Sequence, residues 1–360
     1  MDGAEARDFE IRRDDGSEDP GWDQFLMQSS CGHFQQSALW SRVKANEGWR
    51  VQRATWRKNS QVAAGFQLLW RPSKLGNVGY VSKGPVCSAH DPDVSTHVIS
   101  AMMEAARDLR LAALLVQPPD NDAGLSVLLE RHSFVPDWMN RIVDATWMID
   151  LTEGKARVQE HMRRTTRKTI RQSIRRGVQI RDGGEEDLST FFGLMLETCK
   201  RQQTKPNPAT ETQLRVIWTT FCEKRCARLT LAVRDGACIA GLLSICFGDR
   251  ITLWKKGTLP QHLSAHPMSL LYSETLDWAG ASGFRIADFA AMKRGTAIQL
   301  LRGATLSDSE RESRDWFNLG FGGYPVLLPP AFIWIRNPLL RFVNIPLSRL
   351  FATSCRTAPE

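Results

Sequence analysis

One order of strand and helix signals occurs twice in this chain of 360 residues. In the first copy, residues 49–56 and 61–71 alternate β-branched and aromatic residues around Lys58-Asn59-Ser60, which predicts a hairpin. A strand at 78–81 runs into Lys83-Gly84-Pro85. A helix over 92–110 follows, with Val94, Val98, Met102, Ala105 and Leu109 on one face, then a strand at 112–116. The second copy has strands at 229–233 and 239–247 about the Asp235-Gly236 turn, a strand at 251–254 running into Lys256-Gly257, a helix over 268–281 and a strand at 286–289. Ala64-Gly65 matches Ala240-Gly241 at an offset of 176, while Lys83-Gly84 matches Lys256-Gly257, and Leu115 matches Asp288, at 173. A shared offset across strand, helix and strand marks an internal duplication. The chain is therefore expected to fold as tandem α/β lobes, each a mixed sheet flanked by helices, over 21–150 and 151–323. Residues 1–20 read as a disordered acidic tail and 324–360 as an apolar and basic extension.

The segment joining the copies is where the charge lies. The whole chain carries +8, and the stretch from Glu153 to Arg181 holds ten Lys and Arg against two acids, so the remainder is neutral. His161, Arg164, Lys168, Arg171 and Arg175 recur at spacings of three and four, which predicts a helix over 155–176 with a cationic face, closed by Gly177. Like charges at that spacing cost an isolated helix about a few tenths of a kcal/mol per pair, so stability does not explain the face. The face is expected to meet an anionic partner, whether a nucleotide phosphate, a lipid pyrophosphate or an RNA backbone, the alternative being a plain solvated face.

Other features narrow the class. With 42% hydrophobic and 24% charged residues, the composition is that of a globular protein. The eight cysteines are scattered without a C-x-x-C pair, and eight acids in the first twenty residues do not read as a secretory leader. Free thiols in a reducing cytosol are expected. Residues 326–335 approach an apolar run, but Pro329 and Pro330 interrupt it, so no membrane-spanning helix is expected. Cys222-x3-Cys226 and His262-x3-His266 imitate zinc-ligand spacing in a helix and a loop; no metal is expected.

Several short motifs then fall in order. They are Phe34-Gln35-Gln36-Ser37-Ala38-Leu39-Trp40 with Val43-Lys44 and Gly48-Trp49, and Tyr80-Val81-Ser82-Lys83-Gly84-Pro85-Val86. They continue with Arg163-Arg164-Thr165-Thr166-Arg167 through Gly177-Val178, Thr198-Cys199-Lys200-Arg201, Asp277-Trp278-Ala279 with Gly283, Asp288-Phe289 and Gly320-Phe321-Gly322-Gly323. This ordered set, over 34–323, resembles the FemAB-like branch of the GNAT superfamily, whose best-known members move amino acids from aminoacyl-tRNA onto peptidoglycan precursors. The resemblance implies tandem GNAT-like lobes and an N-acyltransferase. It would form an amide between an aminoacyl or acyl group and the amine of a phosphate-bearing acceptor such as a cell-wall precursor. The chain departs from the family in two places. The terminal motif resembles F-K-x-G-F-G, yet Asn318 follows Phe317 where the family has a lysine that faces the reacting ester in tRNA-using members. Tyrosines expected near the T-x-x-R element are missing, since the chain has only Tyr80, Tyr272 and Tyr324.

Acyl transfer to an amine needs a neutral amine, an activated ester or thioester and donors for the oxyanion, and it needs no protein nucleophile. No G-x-S-x-G or cysteine-enzyme signature is present. Asp288, at a strand end, is the candidate general base or orienting group, and Lys293 (or Arg294) a candidate substitute cation. Lys44, Lys83, Arg163, Arg164, Arg167, Arg171 and Arg201 are the candidate phosphate-binding residues, with Gly322 offering backbone amides. For Asp288 the alternative is a capping or salt-bridging carboxylate, and for the lysines a plain surface role. The reacting centres are expected between the lobes. No cofactor is called for, because aminoacyl-tRNA or acyl-CoA enters as a donor substrate. The one-glycine run Arg175-Arg176-Gly177 lacks the second glycine of a conventional pyrophosphate loop, which disfavours CoA. The alternatives are an acyl-CoA-dependent N-acyltransferase in surface polysaccharide or lipid biosynthesis, and a non-catalytic module binding RNA or anionic lipid through 163–176. A cytoplasmic location is expected. In the extension, Phe332-Ile333-Trp334-Ile335, Leu339-Leu340 and Phe342-Val343 alternate with Arg336, Arg341 and Arg349, suggesting either peripheral contact with the inner membrane or packing on the domain.

Overall fold

The computed structural model describes residues 9–337, apart from 17, 75, 89–91, 121, 138–141 and 312. The chain divides into two units. One runs to Ile142 and takes in the chain again from Leu328; the other is Val143–Leu327.

The first unit is built on strands β1 (Glu10–Asp14), β2 (Arg50–Lys58), β3 (Gln61–Arg71), β4 (Asn77–Ser82), β5 (Val86–Cys87), β6 (Leu111–Gln117) and β7 (Val135–Pro136). The second has β8 (Ala145–Asp150), β9 (Gln179–Gly183), β10 (Ala227–Arg234), β11 (Ala237–Phe247), β12 (Arg250–Thr258), β13 (Ile286–Asp288) and β14 (Tyr324–Leu327), after which β15 (Phe332–Ile335) returns to the first. The sheet orders are β1-β2-β3-β4-β6-β15-β7 and β9-β10-β11-β12-β13-β8-β14, with β5 beside β3. In both, every neighbouring pair is antiparallel except one, β4 with β6 and β12 with β13.

The duplication is visible rung by rung. Each hairpin turns on residues in the left-handed region, Asn59 and Ser60 in one and Asp235 and Gly236 in the other, matching the strand twist. Each has a bulge at the same place: Trp56 pairs Ala64 and Arg57 pairs Val62, as Ala232 pairs Ala240 and Val233 pairs Cys238. Gly65 and Gly241 follow, and both are tight. A Cβ on Gly65 would lie 2.8 Å from the Trp22 ring of the Pro20–Gln28 helix, and one on Gly241 2.7 Å from the Phe191 ring of the Leu188–Arg201 helix. Bare backbone lets a helix ring lie on the strand. Leu115 and Asp288 also correspond, since Tyr80 pairs Leu69 and Leu115 while Thr252 pairs Ile245 and Asp288. The two Lys-Gly pairs do not. Gly257 faces Gly241, but the residue facing Gly65 is Val86, so Lys83-Gly84 lies in a turn between β4 and β5 where β12 runs on unbroken.

Three boundaries differ from the sequence expectation. Glu10–Asp14 is a strand paired along its length with β2, so part of the acidic tail is ordered by backbone pairing. The unit boundary falls at 142, because β8 belongs to the second sheet. The extension from 324 is split: β14 closes the second sheet, and β15 enters the first between β6 and β7. The exchange is reciprocal, since each sheet's edge strand (β7, β14) leads directly into a strand inserted inside the other sheet (β8, β15). Residues 1–8 and 338–360, which carry the rest of the tail and the 339–349 clusters, lie outside the described residues.

The predicted helix over 155–176 is two helices, Gly154–His161 and Arg164–Arg175. Met162 and Arg163 between them are extended, because the Arg163 N–H leaves the helical ladder to donate to the Gly320 carbonyl at 2.9 Å. Gly177 closes the second helix at φ +75°, with Val178 N–H returning to the Ser173 carbonyl at 3.2 Å.

Candidate functional site

The parallel pair of the second unit comes apart. β12 and β13 share three rungs, Arg250 with Ile286, Ile251 with Ala287 and Thr252 with Asp288. Beyond them β12 continues to Thr258, while Phe289 and Met292 donate backbone bonds only toward β8 residues, Trp147 and Ala145. A bulge at Leu243/Ser244 twists β12 at the same level. One edge of β12 therefore faces a wedge and not a strand, and the wedge holds Lys256.

Lys256 is the unusual group of the unit. Its Nζ lies 2.6 Å from the Tyr272 hydroxyl, on the Pro267–Ala281 helix. Tyr272 is fully buried, with its ring against Phe289, Phe317 and Phe321 at 5.2–5.5 Å between centroids. Lys256 is half-buried, and its ammonium has lost most of its hydration among the surrounding protein atoms. Loss of hydration, aided by the nearby Arg314 guanidinium and opposed by Asp315, pulls its pKa from 10.5 to about 7. Burial pushes Tyr272 the other way, so it is a neutral phenol at every physiological pH. Among the described residues no carboxylate pairs with Lys256. Near neutrality, this amine is available in both protonation states.

The residues chosen from sequence are placed differently. Asp288 ends β13, but its Oδ1 accepts from the Thr146 hydroxyl at 2.5 Å and the Ala290 N–H at 2.8 Å, with Arg250 3.6 Å from Oδ2. It pins the turn through Ala290, whose φ is +72°, and its oxygens are engaged. That is the capping and salt-bridging alternative. The Lys293 side chain is exposed, and its backbone N–H donates to Asp315 Oδ2 at 2.9 Å. Lys44 is buried and bound by both Glu47 oxygens, at 3.0 and 2.8 Å. Lys83 is buried 2.6 Å from Asp120. For both lysines the counter-charge is built in, and a phosphate would have to displace it.

The arginine run divides by function. Arg163 stacks on the Trp316 ring, 3.5 Å from its centroid, donates to the Trp316 carbonyl and, through burial, has its pKa lowered. Arg167 donates to the Gln159 and Glu160 carbonyls at 3.2 and 3.1 Å, capping the preceding helix. Arg176 is bound to the Ser264 carbonyl. These three hold the fold. Arg164, Lys168, Arg171 and Arg175 are exposed and make no ion pair among the described residues, so they are the cations left for an anion. Arg201 is exposed at the end of its helix. Gly322 (φ +81°) has no room for a side chain, since a Cβ would lie 2.8 Å from His161 Cβ, and its carbonyl takes the Trp147 indole N–H at 2.6 Å. Its glycine identity is explained by that close approach. The structure thus does not gather the chosen residues. In the wedge it gathers Lys256 and Tyr272, with Arg314 close enough to bear on the lysine.

The comparisons with known proteins divide along the same line as the fold. A model of the FemAB family matches residues 18–124, in the first unit, and a model of the acetyltransferase (GNAT) domain matches 161–298, in the second. The first unit is thus similar in sequence to the FemAB family and the second to the GNAT acetyltransferase domain. A lipid II:glycine glycyltransferase of Staphylococcus epidermidis is 25% identical over 193 residues, 50% of this chain and 46% of the relative. The chain thus spans about half the length of the curated relatives it matches. The crystal structure of FemX superposes with a TM-score of 0.75 at 15% identity, over 92% of this chain and 99% of that one. A tandem GNAT protein from the clavulanic acid biosynthesis pathway superposes at 0.55 and 12% identity, over 91% and 99%. These likenesses establish tandem GNAT-like lobes. In the FemAB-like frame, Asn318, fully buried with neither side-chain polar atom hydrogen-bonded, stands where the family motif has lysine.

Proposed function

We propose that this chain is an N-acyltransferase of FemAB type, which moves an aminoacyl or acyl group from an activated ester onto the amine of a phosphate-bearing acceptor. The observation that carries the reading is the order of the two family matches, FemAB on the first unit and GNAT on the second, and beside it stands the 25% identity to a relative named as a glycyltransferase of lipid II. The chemistry fits the second unit. Its wedge offers a strand edge to bind an extended substrate and an amine that is partly neutral at pH 7. In the fullest form of the reading, the donor is an aminoacyl-tRNA and the acceptor a cell-wall precursor at the cytoplasmic face of the inner membrane. Arg164, Lys168, Arg171 and Arg175 then meet phosphate. Among the described residues no helix is long and apolar enough to cross a membrane.

The test is transfer itself. Purified protein is incubated with total aminoacyl-tRNA, or with acetyl-CoA, and with a lipid II-type precursor carrying a free amine, and amide product is followed by mass spectrometry. Product from charged tRNA, lost on deacylation, is expected. Product from acetyl-CoA alone would replace the donor, and polyanion binding without product from either would mark a binding module.

A further inference from the structure

The reaction proposed above needs a group to take a proton from the attacking amine, and the wedge contains one that neither the motifs nor the family matches assign. We infer that Lys256, held by Tyr272, is the proton acceptor for the acceptor amine. The inference rests on the acyl-transfer reading.

Four observations converge. Lys256 stands on the part of β12 that runs on past its last rung with β13, where the strand edge has no β13 partner and a substrate laid along it would pass the lysine. Some of its surface is open to solvent, while the group it bonds is fully buried. No carboxylate locks it as an ammonium among the described residues, unlike Lys83 with Asp120 and Lys44 with Glu47. Its partner is a hydroxyl, which both donates and accepts. When Lys256 is neutral, it can donate an N–H to Tyr272 and keep its lone pair for the substrate. As an ammonium it donates again, so one fixed phenol serves both states without moving an atom heavier than hydrogen. A carboxylate in that position would favour only the charged state.

The charged and titratable groups bearing on Lys256 are Tyr272 from the Pro267–Ala281 helix and Arg314 and Asp315 from the Arg314–Leu319 helix. No charged group of β11, β13 or the Leu188–Arg201 helix, which also pack on β12, weighs on it among the described residues. Arg314 favours the neutral amine and Asp315 opposes it, with the guanidinium the larger influence.

The step balances. The acceptor amine attacks the carbonyl carbon, the C–N bond forms, and one amine proton passes to the Lys256 lone pair. As the tetrahedral intermediate collapses, the ester C–O bond breaks, and the lysinium proton goes to the departing alkoxide, which leaves as an alcohol. Lys256 ends as it began. A thioester donor would differ only in that a thiolate takes the proton.

The experiment is the pH dependence of single-turnover transfer by the full chain, with total aminoacyl-tRNA as donor and an amine-bearing lipid II-type precursor as acceptor. Wild type is compared with Lys256→Met, Lys256→Gly and Tyr272→Phe, with folding checked by circular dichroism. The expected wild-type rate rises with pH through a midpoint near 7. Lys256→Met should lose 10²- to 10³-fold and the pH limb with it, in the range usual for removing a general base. Ethylamine should restore part of the Lys256→Gly rate, which a merely structural loss would not allow. Tyr272→Phe should shift the midpoint and keep the limb. Transfer by Lys256→Met at the wild-type rate, or Lys256→Gly indifferent to added amine, would overturn the assignment and leave the acyl-transfer reading standing. Absence of transfer by wild type with either donor would overturn both.

Discussion

Both units place a lysine beside their parallel strand pair, buried in the first and half-buried in the second, and the two are treated in opposite ways. In the first, β4 and β6 stay paired from Asn77 with Leu111 to Ser82 with Gln117, and Lys83 at the end of that ladder is closed off by Asp120. In the second the ladder stops after three rungs, and Lys256, beyond the last of them, is hydrogen-bonded to a phenol and makes no ion pair with a carboxylate among the described residues. Register shows that these are neighbouring and not equivalent positions, so the similarity is one of place and the difference one of chemistry. A lysine matched to a carboxylate in a closed sheet adds order. A lysine without one, in an open sheet, costs stability and gains reactivity. On the reading proposed above, the first unit serves as scaffold and the second carries the chemistry.

Opposite substitutions would break this comparison. Lys83→Ala takes from the buried Asp120 carboxylate its lysine partner and should destabilise the protein by about 3–4 kcal/mol in denaturant unfolding. Neutralising both, with Lys83→Met and Asp120→Leu together, should recover most of it. Lys256→Met should instead stabilise, by about 1–3 kcal/mol at pH 6, by removing an ammonium that has given up its hydration. The sign with pH follows from the lowered pKa. Between about 7 and the unfolded value near 10.5 the unfolded chain binds the proton and the folded one does not, so wild-type stability rises through that window. The advantage of Lys256→Met should therefore fade as pH climbs from 7 to 10.5, which unfolding curves at four or five pH values would show.

Gly322→Ala tests whether the 320–323 segment is a spacer. With φ +81° and His161 in the way, it should cost about 1–3 kcal/mol in stability, without a change in phosphate or tRNA affinity after folding is accounted for. The smallest stability effect is expected on the cationic stripe. Replacing Arg164, Lys168, Arg171 and Arg175 with Gln should move stability within about 0.5 kcal/mol, each side chain being exposed. Affinity for tRNA should fall, and the slope of log K against log salt should flatten by about one for each phosphate no longer neutralised. Arg163→Ala is the control: its guanidinium holds Trp316, so it should lower stability first.

Much of the architecture was legible because it is local. The hairpins at 49–71 and 229–247 follow from alternation and from Asn59-Ser60 and Asp235-Gly236, and the Ala64-Gly65 and Ala240-Gly241 match survives to the level of a shared bulge. The exchanged strands β8 and β15 were not legible, since a short apolar run does not say which of two similar sheets it will join. Nor was the break at Met162-Arg163, which is caused by a bond to Gly320, far along the chain. The site was chosen by residue type, and type alone favours cations and carboxylates whose partners then claim them. Glu47, three residues after Lys44, could have been noticed; Asp120 for Lys83 and Arg250 for Asp288 needed the fold. The signal for the wedge lay in two adjacent lysines, Lys255-Lys256, following the apolar Leu253-Trp254 within one strand, and in Tyr272, one of only three tyrosines.

The most direct measurement is the titration of Lys256 in the folded protein, by NMR of 15N-lysine-labelled wild type against Lys256→Met. The predicted result is one lysine resonance, missing in the variant, titrating with a midpoint near 7. A midpoint above about 9 would mean an ordinary charged lysine, contradicting the view that the second unit keeps a reactive amine where the first keeps an ion pair.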